Sequence, residues 1–268
     1  MDITLVFGYI GALLIGVVLG LVGGGGSILT VPVLVYLFGI APVLATAYSL
    51  FIVGLSALFG AFQNMKKGLI DFKTAAIFSL PAFIAVYMTR KYLVPAIPDT
   101  IAEIGSFSLT KPIAIMLFFA LIMFAAALAM IRDKCVGDDC HDENRTVEYN
   151  YPLILLEGSV VGVLTGIVGA GGGFLIIPAL VLLAKLPMKK AVATSLLIIA
   201  IKSLIGFIGD VQNLEIDWTF LGFFTLLAVI GIFLGIFVNK WIPGEKLKKA
   251  FGWFVLIMAI YILYKELA

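Results

Sequence analysis

Four successive glycines, Gly23, Gly24, Gly25 and Gly26, interrupt an apolar stretch near the start of the chain, and a matching interruption follows 146 residues later. The first copy runs from Gly20 through Ser27 to Pro32, and the second from Gly166 through Gly169, Gly171, Gly172 and Gly173 to Pro178. Held at that offset without a gap, residues 16–72 and 162–218 share 21 identities in 57 positions, among them Ala47/Ala193, Ser49/Ser195, Gly60/Gly206 and Asp71/Asp217. The chain is an internal duplication. Adjacent glycines are costly inside a helix, so each copy predicts a helix that stops at the glycines and restarts near Ser27 or Gly173. Broken helices at corresponding places of two apolar halves point to the binding site of a transporter.

The surroundings of the glycines decide the environment. Apolar residues make up 62% of the chain, charged residues 13%, and mean hydropathy is +1.17, against about 25% charge in a soluble globule. This is an integral membrane protein. A net charge of +2 offers no electrostatic basis for nucleic-acid binding. The N-terminal segment lacks a basic leader and a small-residue cleavage pattern, so it reads as a retained membrane helix.

Apolar runs fall at about 3–22, 27–39, 42–64, 73–94, 111–131, 152–168, 173–186, 188–209, 218–239 and 249–266, two sets of five. Most reach the roughly 20 residues needed to cross a bilayer, but 27–39 would rise only about 20 Å. It and 173–186 are expected to stop short or re-enter. The repeated small residues Ala12/Gly16/Gly20 and Gly158/Gly162/Gly166 give the first helix of each half a smooth face for close helix packing. Basic residues mark cytoplasmic loops, and with all ten runs crossing, or with the first and second runs of each half forming one hairpin that dips in and out, the two sides hold 13 and 4 of them, Arg90 and Lys91 being on the poorer side. Both termini are therefore expected outside and residues 132–150 in the cytoplasm. An odd number of segments per half also places the halves in opposite orientation, as an inverted repeat. The expected architecture is all-α and polytopic: membrane repeat 1–131, acidic linker 132–150, membrane repeat 151–268. Cys135, Cys140 and His141 in the linker match no standard zinc spacing, and no metal or other cofactor is expected. The sequon at Asn144 falls on the cytoplasmic side and is discounted.

A helix that starts at membrane depth presents unsatisfied N–H groups and the positive end of its dipole. The starts at Gly26/Ser27 and Gly172/Gly173 are expected to converge, where bare backbone lets a small oxyanion reach several donors. No Gly-Lys-Ser/Thr ending follows, so nucleotide binding is not expected. Tyr48-Ser49 and Thr194-Ser195 stand at equivalent positions of the third helices, and Ser49 and Ser195 could donate to the same anion, or bond back to their own helix. Lys202 is the lysine inside a predicted membrane helix, with Ser56 as its counterpart. Its charge calls for an anionic substrate or for Glu157; Asp210 lies roughly 12 Å further along the helix axis.

With two copies of this glycine-proline motif, the sequence resembles the sulfite exporter TauE/SafE family over residues 5–266. The resemblance implies an inner-membrane permease for sulfur oxyanions or organosulfonates. The acidic linker and Lys202 lie outside the shared motif. The resulting expectation is a secondary transporter or facilitator of small anions, not an enzyme, with room for a coupling proton or sodium ion and for a homo-oligomer. A membrane-embedded enzyme or accessory subunit of sulfur metabolism would need a nucleophile or metal set within the membrane, and a cation transporter would need carboxylates where this chain has glycines and a lysine.

Overall fold

The computed structural model describes residues 3–24, 26–104, 107–132, 151–168, 172–182, 186–239, 241–242 and 244–267. The chain is an all-α membrane protein with several helices apolar enough to span a bilayer. In the first half α1 covers Ile3–Val22, α2 Gly26–Tyr36, α3 Pro42–Lys66 and α4 Phe72–Met88, which continues through a π-helical turn, Thr89–Leu93, into α5, Val94–Ala96. Strands β1, Thr100–Ile104, and β2, Phe107–Thr110, form an antiparallel hairpin before α6, Lys111–Arg132. The second half holds α7 Tyr151–Val168, α8 Gly173–Leu182, α9 Met188–Val211, α10 Trp218–Asn239 and α11 Gly244–Leu267.

Each apolar run expected from the sequence carries a helix, and the hairpin between the fourth and fifth runs is the unanticipated element. Pro42–Lys66, Phe72–Ala96, Lys189–Val211 and Trp218–Asn239 are long and apolar enough to cross a membrane. In contrast α2, with 11 residues, and α8, with 10, rise only about 16 Å each. Large apolar side chains along α10, such as Phe223, Leu226, Phe233 and Phe237, stay exposed on the outside of the bundle, the arrangement of a helix whose solvent is lipid.

The packing pairs elements across the duplication. Helix α1 lies against α10, and α7 against α4; the 146-residue offset converts one pair into the other. Between them α3 packs on α9, and at the side α6 packs on α11. The loop bonds follow the same exchange: Asp217 N donates to Tyr48 Oη at 2.8 Å, and Asp71 N donates to Thr194 Oγ1 at 3.0 Å. Glycines on both partners make the α1–α10 seam the closer one. A Cβ at Gly16 or Gly20 would fall on the carbonyls of Ala228 or Ile232, and a Cβ at Gly231 or Gly235 on those of Leu13 or Val17. On the α4–α7 seam the glycines come from α7 alone, with a Cβ at Gly158 or Gly162 placed 2.6 Å from the carbonyl oxygens of Phe78 or Ala82. Buried Val53, Ala57, Phe78, Ala82, Leu196 and Ile199 fill the centre where α3, α4 and α9 meet.

Candidate functional site at the glycine turns

The two glycine turns touch. Helix α1 ends at Val22 and Gly23 follows with φ +77°; Gly172, with φ +69°, precedes α8. These are left-handed conformations that a side chain strains, so glycine is needed for the turn itself. A Cβ on Gly24 would fall on the backbone of Gly173, and one on Gly173 would fall on Gly24. One face of α9 runs along this junction, because Val192, Ser195, Ile199 and Lys202 are spaced by three or four residues. Val192 lies against Gly23, Ile199 against Gly173 and the Lys202 ammonium against Gly172. Ser195 Oγ reaches across the halves to Gly23 O at 2.9 Å, while also 2.8 Å from Val192 O.

Lys202 is 1% exposed. Its Nζ donates to Thr165 Oγ1 at 2.8 Å, and that hydroxyl in turn donates to Val161 O at 2.6 Å. Among the described residues no carboxylate pairs with Lys202. Glu157, weighed above as its partner, lies on α7 two turns before Thr165, roughly 12 Å along the axis, and its side chain is half-buried. The neighbouring start of α8 adds donors. Leu175 N and Ile176 N both close on Gly172 O at 3.0 Å, and the amides ahead of them are those that a helix start leaves without an intrahelical acceptor.

A second buried charge cluster lies beside the first. The π-helical turn adds a residue to the rod formed by α4 and α5, and Arg90 lies on it with 0% exposure. Arg90 Nε donates to Asp210 Oδ2 at 2.7 Å and Nη2 approaches the same oxygen at 2.6 Å. Nη1 donates to Thr46 Oγ1 at 3.0 Å and to Gly166 O at 3.2 Å, and Nη2 also reaches Thr46 Oγ1, at 3.1 Å. One guanidinium thus ties α4, α3, α7 and α9 together. The count of basic residues treats Arg90 as a loop residue, and the structure differs: its side chain is buried inside the protein against α3, α7 and α9. Its signal was its position inside the run 73–94, and its carboxylate sits one residue past the run 188–209.

The structure brings Gly23, Gly24, Gly172, Gly173, Ser195 and Lys202 together. Gly26 behaves differently: a Cβ there would meet the Ile15 carbonyl and Leu19, so it faces its own half's α1. Ser49 is fully buried with an unpartnered hydroxyl, as is Ser56, the counterpart of Lys202. Tyr48 and Thr194 are occupied by the Asp217 and Asp71 loop amides. Gly25, Gly169, Gly171 and the linker with Cys135, Cys140 and His141 lie outside the described residues, as does the side chain of Ser27.

The family model for the sulfite exporter TauE/SafE family matches residues 9–262. A "probable membrane transporter protein" of Xylella fastidiosa is 29% identical over 262 residues, covering 95% of this chain and 93% of its own length. One from Bacillus subtilis is 28% identical over 244 residues, 85% of this chain and 86% of the relative. One from Methanocaldococcus jannaschii is 36% identical over 118 residues, 41% of this chain and 43% of the relative. No solved structure matches the chain.

Proposed function

Because the chain belongs to the sulfite exporter TauE/SafE family of membrane transporters, we propose that it is a secondary transporter or facilitator which carries a small sulfur oxyanion or organosulfonate across the inner membrane. The anion binds where α8 starts, between the free amides near Gly172 and Gly173 and the ammonium of Lys202. One observation carries this reading: a lysine 1% exposed, held against a helix start by one hydroxyl at 2.8 Å, with no carboxylate among the described residues to balance it. An unpaired buried charge is costly, and an arriving anion removes that cost. Helix dipole, amides and ammonium all favour the same sign of ligand. No step of covalent chemistry is needed, so the protein works as a transporter and not as an enzyme.

In this reading the two halves stand in opposite orientation, with both termini outside and the linker 132–150 in the cytoplasm. The exchanged pairs α1–α10 and α7–α4 support a two-fold relation between the halves, and the excess of basic residues on one side supports the sidedness. Uptake of radiolabelled sulfite, thiosulfate, sulfate and taurine into proteoliposomes tests the function. Saturable uptake of at least one sulfur anion is expected, and none above protein-free vesicles would refute it.

A further inference from the structure

Among the described residues only three charged side chains are fully buried: Arg90 at 0% exposure, Lys202 at 1% and Asp210 at 3%. Two are cations and one is an anion. Arg90 and Asp210 cancel each other through the 2.7 Å and 2.6 Å contacts to one carboxylate oxygen, so with Lys202 protonated the surplus is a single positive charge, and an arriving anion favours that protonated form. We propose that the site selects singly charged anions over doubly charged ones, and that Asp210 sets this preference by neutralising Arg90. The inference rests on the anion site proposed above.

The two cations are anchored at successive positions of one helix. Lys202 Nζ is bonded to Thr165 and Arg90 Nη1 to Gly166, successive residues of α7. Asp210 follows Lys202 by roughly 12 Å, two turns, on α9. Buried charges at this separation are screened little by salt, so each counts in the balance. A monoanion beside Lys202 brings the buried total to zero. A dianion leaves one negative charge uncompensated in a site shielded from water, and this is the costly case. An organosulfonate or bisulfite meets the requirement; sulfate and thiosulfate do not, and sulfite enters carrying its proton. Without the Asp210 charge, Arg90 would become a second unpaired cation and the balance would favour a dianion.

Methanesulfonate and sulfate share a tetrahedral sulfur centre and differ in charge, which makes them the probes. Titration calorimetry on the full-length protein in detergent is expected to show wild type binding methanesulfonate about tenfold or more tighter than sulfate. Asp210→Asn is expected to move that ratio toward sulfate by a similar factor, and Arg90→Gln/Asp210→Asn, with a neutral pair restored, to return it. The wild-type ratio needs no variant and decides the charge preference even if Asp210→Asn fails to fold. Sulfite and methanesulfonate titrated across the same pH series give a third arm: methanesulfonate keeps one charge throughout and reads the Lys202 ammonium alone, so the ratio of sulfite to methanesulfonate affinity is expected to follow the bisulfite fraction. Equal or tighter binding of sulfate, sulfite affinity that follows the dianion, or an Asp210→Asn ratio unchanged from wild type overturns the proposal while leaving an anion site in place. Absence of binding by all three anions overturns the anion site itself.

Discussion

The two glycine turns descend from one repeated segment and touch at Gly24 and Gly173, yet their surroundings differ in chemistry. Around Gly172 stand the Thr165 methyl and the Lys202 ammonium; around Gly26, its equivalent, stand Leu19 and the Ile15 carbonyl. The same offset sets Ser56 opposite Lys202, Asn64 opposite Asp210 and Ile236 opposite Arg90. Asn64 merely bonds back to Gly60 O at 3.0 Å. Duplication therefore supplied the backbone of both turns, and substitution put a buried ammonium against the second alone. The first half reciprocates with geometry: its α1–α10 seam is the tighter, with glycine on both helices.

That division can be broken from the seam side first. Gly231→Leu drives a side chain into the Leu13 carbonyl and the backbone of α1, which cannot yield as a flexible side chain would. Destabilisation beyond about 4 kcal/mol is expected, read as loss of monodisperse protein in size-exclusion chromatography. Gly158→Leu, on the looser seam, is expected to cost less, since a Cβ there stands 2.6 Å from the Phe78 carbonyl oxygen, farther than one at Gly231 stands from that of Leu13. Equal losses in the two variants would remove the distinction between the seams.

Arg90→Gln comes next in size. It strands Asp210 as a buried carboxylate, and a broken buried pair costs about 3–5 kcal/mol. Thermal unfolding in detergent is expected to show that loss, and Arg90→Gln/Asp210→Asn to recover most of it. Asn64→Ala, at the position equivalent to Asp210, is expected to cost only about 1 kcal/mol, because a neutral bond to its own helix is lost. A double variant no more stable than Arg90→Gln would mean that the guanidinium matters for packing and not for charge.

The serines sharpen the comparison at the smallest scale. Ser195→Ala removes the bond to Gly23 O that joins the halves and is expected to cost about 1 kcal/mol, whereas Ser49→Ala removes a hydroxyl with no partner and is expected to be near neutral or slightly stabilising. Chemical denaturation of both variants measures this. A Ser49→Ala loss as large as that of Ser195→Ala would indicate that the two hydroxyls are used alike.

Much of this was readable before the fold was known, for definite reasons. Membrane helices announce themselves by length and hydropathy, so the runs from 3–22 to 249–266 located the helices. The shortness of 27–39 followed from residue count, and α2 is shorter still because the last turn gives way at Gly39, with φ +66°. Lys202 stood out as an ionisable group at membrane depth. Its oxygen partner did not, since Thr165 is one of many hydroxyls and lies 37 residues away. Arg90 was hidden for another reason: a charge near the end of an apolar run looks like a loop residue, and only the π-helical turn and a carboxylate 120 residues distant show that it is core. Gly26 and Gly172 were indistinguishable by motif. Their difference lies in Leu19 against Thr165, a position whose side chain matters only once α1 and α7 are folded back on the turns.

Binding of the anion by Lys202 is tested most directly by ligand-dependent thermal stability. In detergent, with sulfite at about a hundredfold excess over its dissociation constant, wild type is expected to gain about 2.7 kcal/mol. Lys202→Met is expected to unfold no earlier than wild type without ligand, because no carboxylate among the described residues is stranded, and to gain little from sulfite. A Lys202→Met protein stabilised by sulfite as strongly as wild type would contradict the assignment.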